Sequence, residues 1–332
     1  LHDYGRFSGR GSPNANAHLE MHAPMMASSG LELFWRPMKG PPEDERRADY
    51  AAFPPNASGS NFVLTNMGAE DTSAPAAQPG FAMSPDALAA SGRCAKQLAS
   101  SRPDVWGHGF WEWAWADAHY PLLSVRNDSM YFDAGPQNKK KKKKDCATTV
   151  CCGDCLIQGD RHAGAGRFFL YNLLSELDQP HEAYLNRSSG RLFFIPPPVE
   201  STGTVSLTTN VVSITSASNI TLMGLVLAHA RGIGLLVRNA SGLRVLGGAV
   251  VATGSSGINI TGGVDCRLSG VSVSGAGDTG VVLDGGDRIT LSPASHVLER
   301  STVNTGNYFV WANAPLVFVG GVGQAVLGNE IN

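Results

Sequence analysis

The chain has 332 residues, a formal net charge of −2 and 42% hydrophobic residues, enough to bury one large core or two medium ones and too apolar for a wholly disordered polymer. A charge so close to zero gives no general attraction to nucleic acid or anionic lipid, and no window offers the roughly 18 uninterrupted apolar residues of a membrane helix. Neither nucleic acid nor a membrane is an expected partner, and no charged n-region followed by an apolar h-region marks a secretory leader after Leu1.

Residues 1–136 are rich in Pro, Ala, Met and Trp. Within them, VWGHGFWEWAWADAHYP (105–121) alternates Trp111, Trp113 and Trp115 with Glu112 and Ala114, which on a strand puts the three indoles on one face. With Trp106 they can stack on sugar rings, but the same geometry serves a core, and the core is the expected role. His108 and His119 lie among acids and aromatics without metal-ligand spacing and read as structural.

Residues 137–166 break the composition. Six consecutive lysines, 139–144, repel one another and predict a disordered insertion, and no aromatic residues interleave them as a nucleic-acid stacking site requires. Cys146, Cys151, Cys152 and Cys155 follow in one cluster. Only Cys152 and Cys155 form a CxxC knuckle, so disulfides in a secreted protein are favoured over a zinc site, with connectivity left open. From Arg167 onward there is no lysine, and the main boundary falls there: a lead-in at 167–207, then a repeat region at 208–332.

The repeat is regular. SNITLMGLVLAHARGIGLLVRNA (218–240), SGLRVLGGAVVATGSSGINITGG (241–263) and VDCRLSGVSVSGAGDTGVVLDGG (264–286) align without gaps over 23 residues each. Apolar residues hold the third and fifth places, including an inward Cys266, and glycine holds the seventh (Gly224, Gly247, Gly270) and the seventeenth (Gly234, Gly257, Gly280). DRITL (287–291) opens a fourth block in the same phase. A fixed period in the low twenties with period-2 alternation and recurring glycine predicts an all-β solenoid, a right-handed parallel β-helix of about 23 residues per coil and three short strands per coil. Both glycine columns are expected where the coil bends, since Gly enters φ > 0 without strain. Leucine-rich repeats need a recurrent Asn frame that is missing here.

Asp278, Asp284 and Asp287 are the acid cluster of the repeat half. Turn capping is their ordinary role; a place on the rim of a rigid solenoid makes them the candidate catalytic carboxylates. The outward fourth-place column reads Thr221, Arg244, Arg267, Thr290, with Asp265 on the face of Arg267. Arg244, Arg267 and Asp265 are the candidate substrate-binding set for an anionic sugar, against the commoner reading of a surface charge ladder. Six N-x-S/T sequons, at Asn56, Asn127, Asn186, Asn219, Asn239 and Asn259, fit a secretory route, and Asn259 is expected on an outward strand position.

The segment RFFLYNLLSELDQPHEAYLNRSSGRLFFIPPP (167–198) resembles the lead-in of a large family of right-handed β-helix proteins of the pectate-lyase-like superfold (the pectin lyase fold). Tyr184, Leu185, Gly190, Leu192, Phe193, Phe194, Pro196 and Pro197 match its pattern, while His181 and Ala183 depart from it. GLELFWRPM (30–38), WGHGFWEWAWAD (106–117), GVVLDGGDR (280–288) and GVGQAVLGNEI (321–331) are similar to further segments of that family. The resemblance implies a β-rich, partly irregular N-terminal domain over 1–136, and relatives that act as glycoside hydrolases on plant or algal polysaccharides.

Hydrolysis would need two carboxyl groups; a polysaccharide lyase, the second alternative, would need Ca²⁺ held by carboxylates and a base, while a hydrolase needs no cofactor or metal. In the resembled family coils continue past GVGQAVLGNEI and carry the acidic groove, so a chain stopping at Asn332 is expected to be a fragment with its helix truncated at the C-terminus and part of its catalytic groove missing. The expectation is therefore an extracellular, monomeric, carbohydrate-active protein, with a non-catalytic carbohydrate-binding or cell-surface structural β-helix as the alternative.

Overall fold

In the computed structural model the described residues are 2–6, 33–38, 46–53, 63–64, 80–82, 91–99, 104–110, 117–126, 129–132 and 167–332. The lysine and cysteine cluster of 137–166, Trp111, Trp113 and Trp115, and the sequons at Asn56 and Asn127 lie outside them. Contacts divide the chain into two units, one taking its residues up to Thr202 and the other built from Gly203 onward with Leu33 and Phe34.

The first unit is mainly antiparallel, with one parallel pair between Asp49–Tyr50 and Glu182–Asn186. One sheet runs Ala52–Phe53, Arg167–Tyr171, Trp106–Phe110, Asp117–Arg126, Ser129–Phe132 and Gly80–Ala82, with Val63–Leu64 also paired to Arg167–Tyr171. Period-2 alternation gives this sheet two distinct faces. One buries Tyr120, Leu122, Met130, Phe132, Phe168 and Leu170 in a single cluster with Cys94, Leu98 and Leu173. The other carries Trp106, His108, His119 and Tyr171, all buried as well.

After this sheet come a 3₁₀ turn, Leu174–Glu176, and a hairpin of Glu182–Asn186 against Arg191–Phe194. The hairpin turn closes through Asn186, whose carbonyl accepts the Gly190 N–H at 2.8 Å and whose side-chain oxygen accepts the Ser189 N–H at 3.0 Å. Asn172, fully buried, ties the segment together: its amide donates to the carbonyls of Asp104 (2.8 Å) and Leu185 (2.9 Å) and accepts the Leu185 N–H (2.9 Å).

The second unit is a right-handed parallel β-helix of three five-stranded parallel sheets. The first sheet stacks Val212–Thr215, Leu235–Ser241, Ile258–Val264, Val281–Asp284 and Val317–Val319. The second stacks Thr221–Met223, Arg244–Leu246, Arg267–Ser269, Val297–Glu299 and Ala325–Leu327. The third stacks Val226–Ala228, Ala249–Thr253, Ser272–Ala276, Thr302–Asn304 and Glu330–Ile331.

Register follows the 23-residue period through three coils, as Leu235 pairs with Ile258 and Ile258 with Val281. Inward residues form the expected ladders, among them Leu235, Ile258, Val281 and Val250, Val273, Val303, and Cys266 is a fully buried member of the same core. At roughly 2 kcal/mol for each buried aliphatic side chain, these ladders are the main stabilising term of the solenoid.

Two expectations need correction. DRITL is not the next coil in phase: Arg267 pairs with Val297, 30 positions on, and Val281 pairs with Val317, 36 positions on. Residues 287–292 instead close a turn, bridged between Asp287 and Ser292, so Thr290 does not continue the Arg244, Arg267 column and Val297 takes its place.

The glycine columns also differ in cause. Gly224, Gly247 and Gly270 do sit at φ +62, +64 and +65 in the corner between the second and third sheets, a column continued by Arg300 (φ +48) and Gly328 (φ +59). Gly234, Gly257 and Gly280 are there for close approach: an alanine methyl at each would lie 2.4–2.5 Å from the inward Val250, Val273 and Val303.

Candidate functional site

The three candidate carboxylates occupy different environments. Asp287 caps the exposed 287–292 turn. Its carboxylate accepts the Ile289 N–H at 2.8 Å, the Thr290 N–H at 3.4 Å and the Thr290 hydroxyl at 2.9 Å. The Ile289 N–H first, then the Thr290 hydroxyl, hold the Asp287 carboxyl below its ordinary value. Asp278 lies in the corner before the Val281–Asp284 strand, where its backbone carbonyl accepts the Asn307 N–H at 3.0 Å and its carboxylate accepts the Thr279 hydroxyl at 3.2 Å. Asp284 is the last residue of that strand, at its opposite end.

Asp284 is the member placed on an open sheet face. Val281 and Leu283 point inward and are fully buried, so by alternation Val282 and Asp284 point outward. The next coil brings Phe318 beside Val282, 44% exposed, and then Gly320. A methyl on Gly320 would lie 2.5 Å from Asp284 Oδ1 and 3.0 Å from Phe318 Cε1, so the carboxylate and the ring edge converge over a bare backbone position. Asn259 and Thr261 extend this face one coil back, opposite Val282 and Asp284, with the Thr261 hydroxyl donating to Asn259 Oδ1 at 2.7 Å. The surface offers a carboxylate, amide and hydroxyl groups and an exposed aromatic ring, the chemical groups that contact hydroxyl-rich, apolar-faced sugar rings.

The arginine column is an ion-pair ladder on the second sheet. Arg244 donates to the Asp265 carboxylate (2.6 Å) and to the Asp265 carbonyl across the stacked corner. Arg267 meets both oxygens of Glu299 at 3.3 Å, and Arg300 donates to Glu299 at 2.8 Å and to the Ser269 hydroxyl at 2.9 Å. Burial works to raise the Glu299 carboxyl; the Ser269 hydroxyl together with Arg300 and Arg267 outweighs it and holds the group below the ordinary carboxylate range. Glu299 and Arg300 escape a fixed-period reading because they follow the longer fourth connection.

In the first unit the register of one strand pair brings together three residues that lie up to 11 positions apart. His108 pairs directly with His119, and Asp117 lies two residues before His119 on the same face. His108 Nε2 and Asp117 Oδ2 are 2.7 Å apart, with both side chains 2–3% exposed. The two imidazoles stack with centroids 3.6 Å apart, and His119 Nδ1 is 3.1 Å from the Tyr171 hydroxyl. Burial lowers the His108 pKa against the opposing pull of Asp117, and burial pushes the Tyr171 phenol well up. Among the described residues this is the group that could hold a metal ion, each residue placing a ligating atom within 4.8 Å of the others. Trp106, the described member of the tryptophan cluster, is buried, with the Arg187 guanidinium 5.7 Å from its ring.

No helix among the described residues is long and apolar enough to cross a membrane. No family model matches the chain, and no curated protein sequence matches it. Among solved structures, one described as "Glycoside hydrolase" superposes with a TM-score of 0.50 at 10% identity, over 90% of this chain and 58% of that one. The chain therefore spans little more than half the length of that neighbour, and the likeness is one of fold.

Proposed function

We propose that the protein is an extracellular, carbohydrate-active β-helix protein that binds a plant or algal polysaccharide along the outer face of its first sheet, with Asp284 as a carboxyl group of a glycoside hydrolase-type site. The observation that carries this reading is the convergence of Asp284 and the exposed Phe318 ring over Gly320. An aromatic face packs on the apolar side of a pyranose ring while a neighbouring carboxylate meets its hydroxyls or its glycosidic oxygen. The parallel ladder holds the Asp284 strand in place, because Val281–Asp284 is paired to Ile258–Val264 on one side and to Val317–Val319 on the other. The fold of the solved neighbour is consistent with it.

A second reading, binding without catalysis, is favoured by Asp287. Its two oxygens are engaged in the turn, which removes it as a second carboxyl group for hydrolysis. The experiment is a panel of plant and algal polysaccharides tested for binding and for release of reducing ends, with wild type, Phe318→Ala and Asp284→Asn. Phe318→Ala is expected to weaken binding about tenfold, equivalent to about 1.4 kcal/mol, and Asp284→Asn to lower turnover at least about 100-fold. Binding without turnover in the wild type selects the second reading. Absence of binding to every glycan, or wild-type behaviour in both variants, overturns the proposal.

A further inference from the structure

We infer that His108, Asp117 and His119 form a divalent metal site, zinc in preference to calcium or magnesium, that clamps two adjacent strands of the first unit. The argument starts from strand geometry. Asp117 and His119 are separated by one residue, so both project from the same face of their strand, and antiparallel register sets His108 directly opposite His119 with Asp117 as its diagonal neighbour. Three ligand-bearing side chains thus meet on the sheet face opposite the Phe168, Leu170 and Met130 cluster.

The spacing suits a small cation. Each residue offers a ligating atom within 4.8 Å of the other two. Tetrahedral zinc with nitrogen and oxygen ligands at about 2.0–2.1 Å holds those ligands about 3.4 Å apart. The widest gap has to close by at most about 1.4 Å, the 2.7 Å contact between His108 and Asp117 has to open by about 0.7 Å, and the stacked imidazoles, 3.6 Å apart and 20° from parallel, have to tilt apart so that both ring nitrogens face the ion. Two imidazoles and one carboxylate form a ligand set that zinc takes. Calcium and magnesium prefer all-oxygen sites, which this one is not.

The surroundings match a metal site. Metal-bound histidines have their other ring nitrogen held by a neighbouring polar group, which fixes the ring; the Tyr171 hydroxyl, 3.1 Å from His119 Nδ1, is such a group. The side chains are enclosed, with His108, His119 and the Asp117 carboxylate 2–3% exposed. An ion held there by three protein ligands, with water as its fourth, would cross-link Trp106–Phe110 and Asp117–Arg126, and its loss would loosen the first unit.

The test uses the full chain with Cys146, Cys151, Cys152 and Cys155 replaced by Ser, so that bound metal cannot reside on those thiols. Metal is stripped with EDTA, zinc is added back, and metal content is measured after dialysis. One equivalent is expected in this background, with Tm raised by about 5 °C or more at a hundredfold excess of zinc over its Kd. Co²⁺ in place of zinc is expected to give tetrahedral visible absorption without a thiolate charge-transfer band. Asp117→Asn and His119→Gln are expected to lose the metal while keeping the β-type circular dichroism spectrum. If either variant fails to fold, the Tm response and the Co²⁺ spectrum of the parent decide. Less than a tenth of an equivalent of metal with no Tm response, disappearance of the metal with the four cysteines, or full retention in both folded variants overturns the inference.

Discussion

Replacing Gly257 by alanine should damage the solenoid more than replacing Gly247, although Gly247 is the residue with the unusual backbone. At Gly247, φ is +64 and an added methyl meets nothing within 4 Å. The cost there is the left-handed penalty alone, about 1–2 kcal/mol. At Gly257 the methyl would lie 2.5 Å from Val273 Cγ1 and 2.7 Å from the Gly280 carbonyl oxygen. Carbon atoms pack favourably at about 3.5–4.0 Å, so Val273 would have to retreat by about 1 Å. It cannot do so cheaply, being buried and stacked between Val250 and Val303. The Gly280 carbonyl already accepts the Ile258 N–H at 2.9 Å, so displacing it strains a ladder bond. Overpacking of about 1–3 kcal/mol plus about 1 kcal/mol for that bond gives a loss of about 2–4 kcal/mol. Urea unfolding followed by circular dichroism, with m-values compared, measures both variants. If Gly247→Ala destabilises as much as Gly257→Ala, the close-approach account of the second glycine column is wrong.

Two further perturbations test other parts of the fold. Asn172→Ala removes three hydrogen bonds, two of them buried, and leaves the Leu185 N–H without its acceptor, so a loss of about 2–4 kcal/mol is expected in denaturant unfolding; a loss below about 1 kcal/mol would mean that water replaces the amide. His296 is fully buried, its Nδ1 accepts the Cys266 N–H at 3.2 Å, and burial lowers its pKa. A folded-state value below the unfolded one means that the stabilisation is present above the unfolded pKa of about 6.5 and is lost as pH falls below it toward the folded value. The drop in Tm from pH 7.5 to pH 5 should therefore be smaller in His296→Gln than in wild type, and an unchanged drop would exclude His296 as a contributor.

The solenoid was legible because its signal is redundant. Leu235, Ile258 and Val281 repeat one requirement, an apolar side chain facing the same core, and three ungapped coils suffice to fix the period. The fourth coil misleads for a local reason. Ile289 and Leu291 in DRITL imitate an inward alternating pair, yet they are 93% and 72% exposed, because Asp287 draws the chain into a turn through side-chain to backbone bonds that compete with strand pairing. For the second glycine column the pattern was visible and its cause was not, since clearance from Val273 belongs to the neighbouring coil. On the candidate surface, Asp284 could be named from the sequence, but its meeting with Phe318 depends on a pairing 36 positions long. The His108, Asp117 and His119 group depends on strand register, which no residue spacing displays.

The unequal coils have a further consequence. Strand register survives connections that lengthen one circuit from 23 residues to 30 or 36, so the ladders are indifferent to how much chain leaves the surface between them. Closing a longer excursion costs only a slowly growing entropy. The turn at 287–292 is therefore a natural port for grafting: a peptide epitope spliced between Ile289 and Leu291 would be displayed outward on a scaffold whose stacking it does not touch.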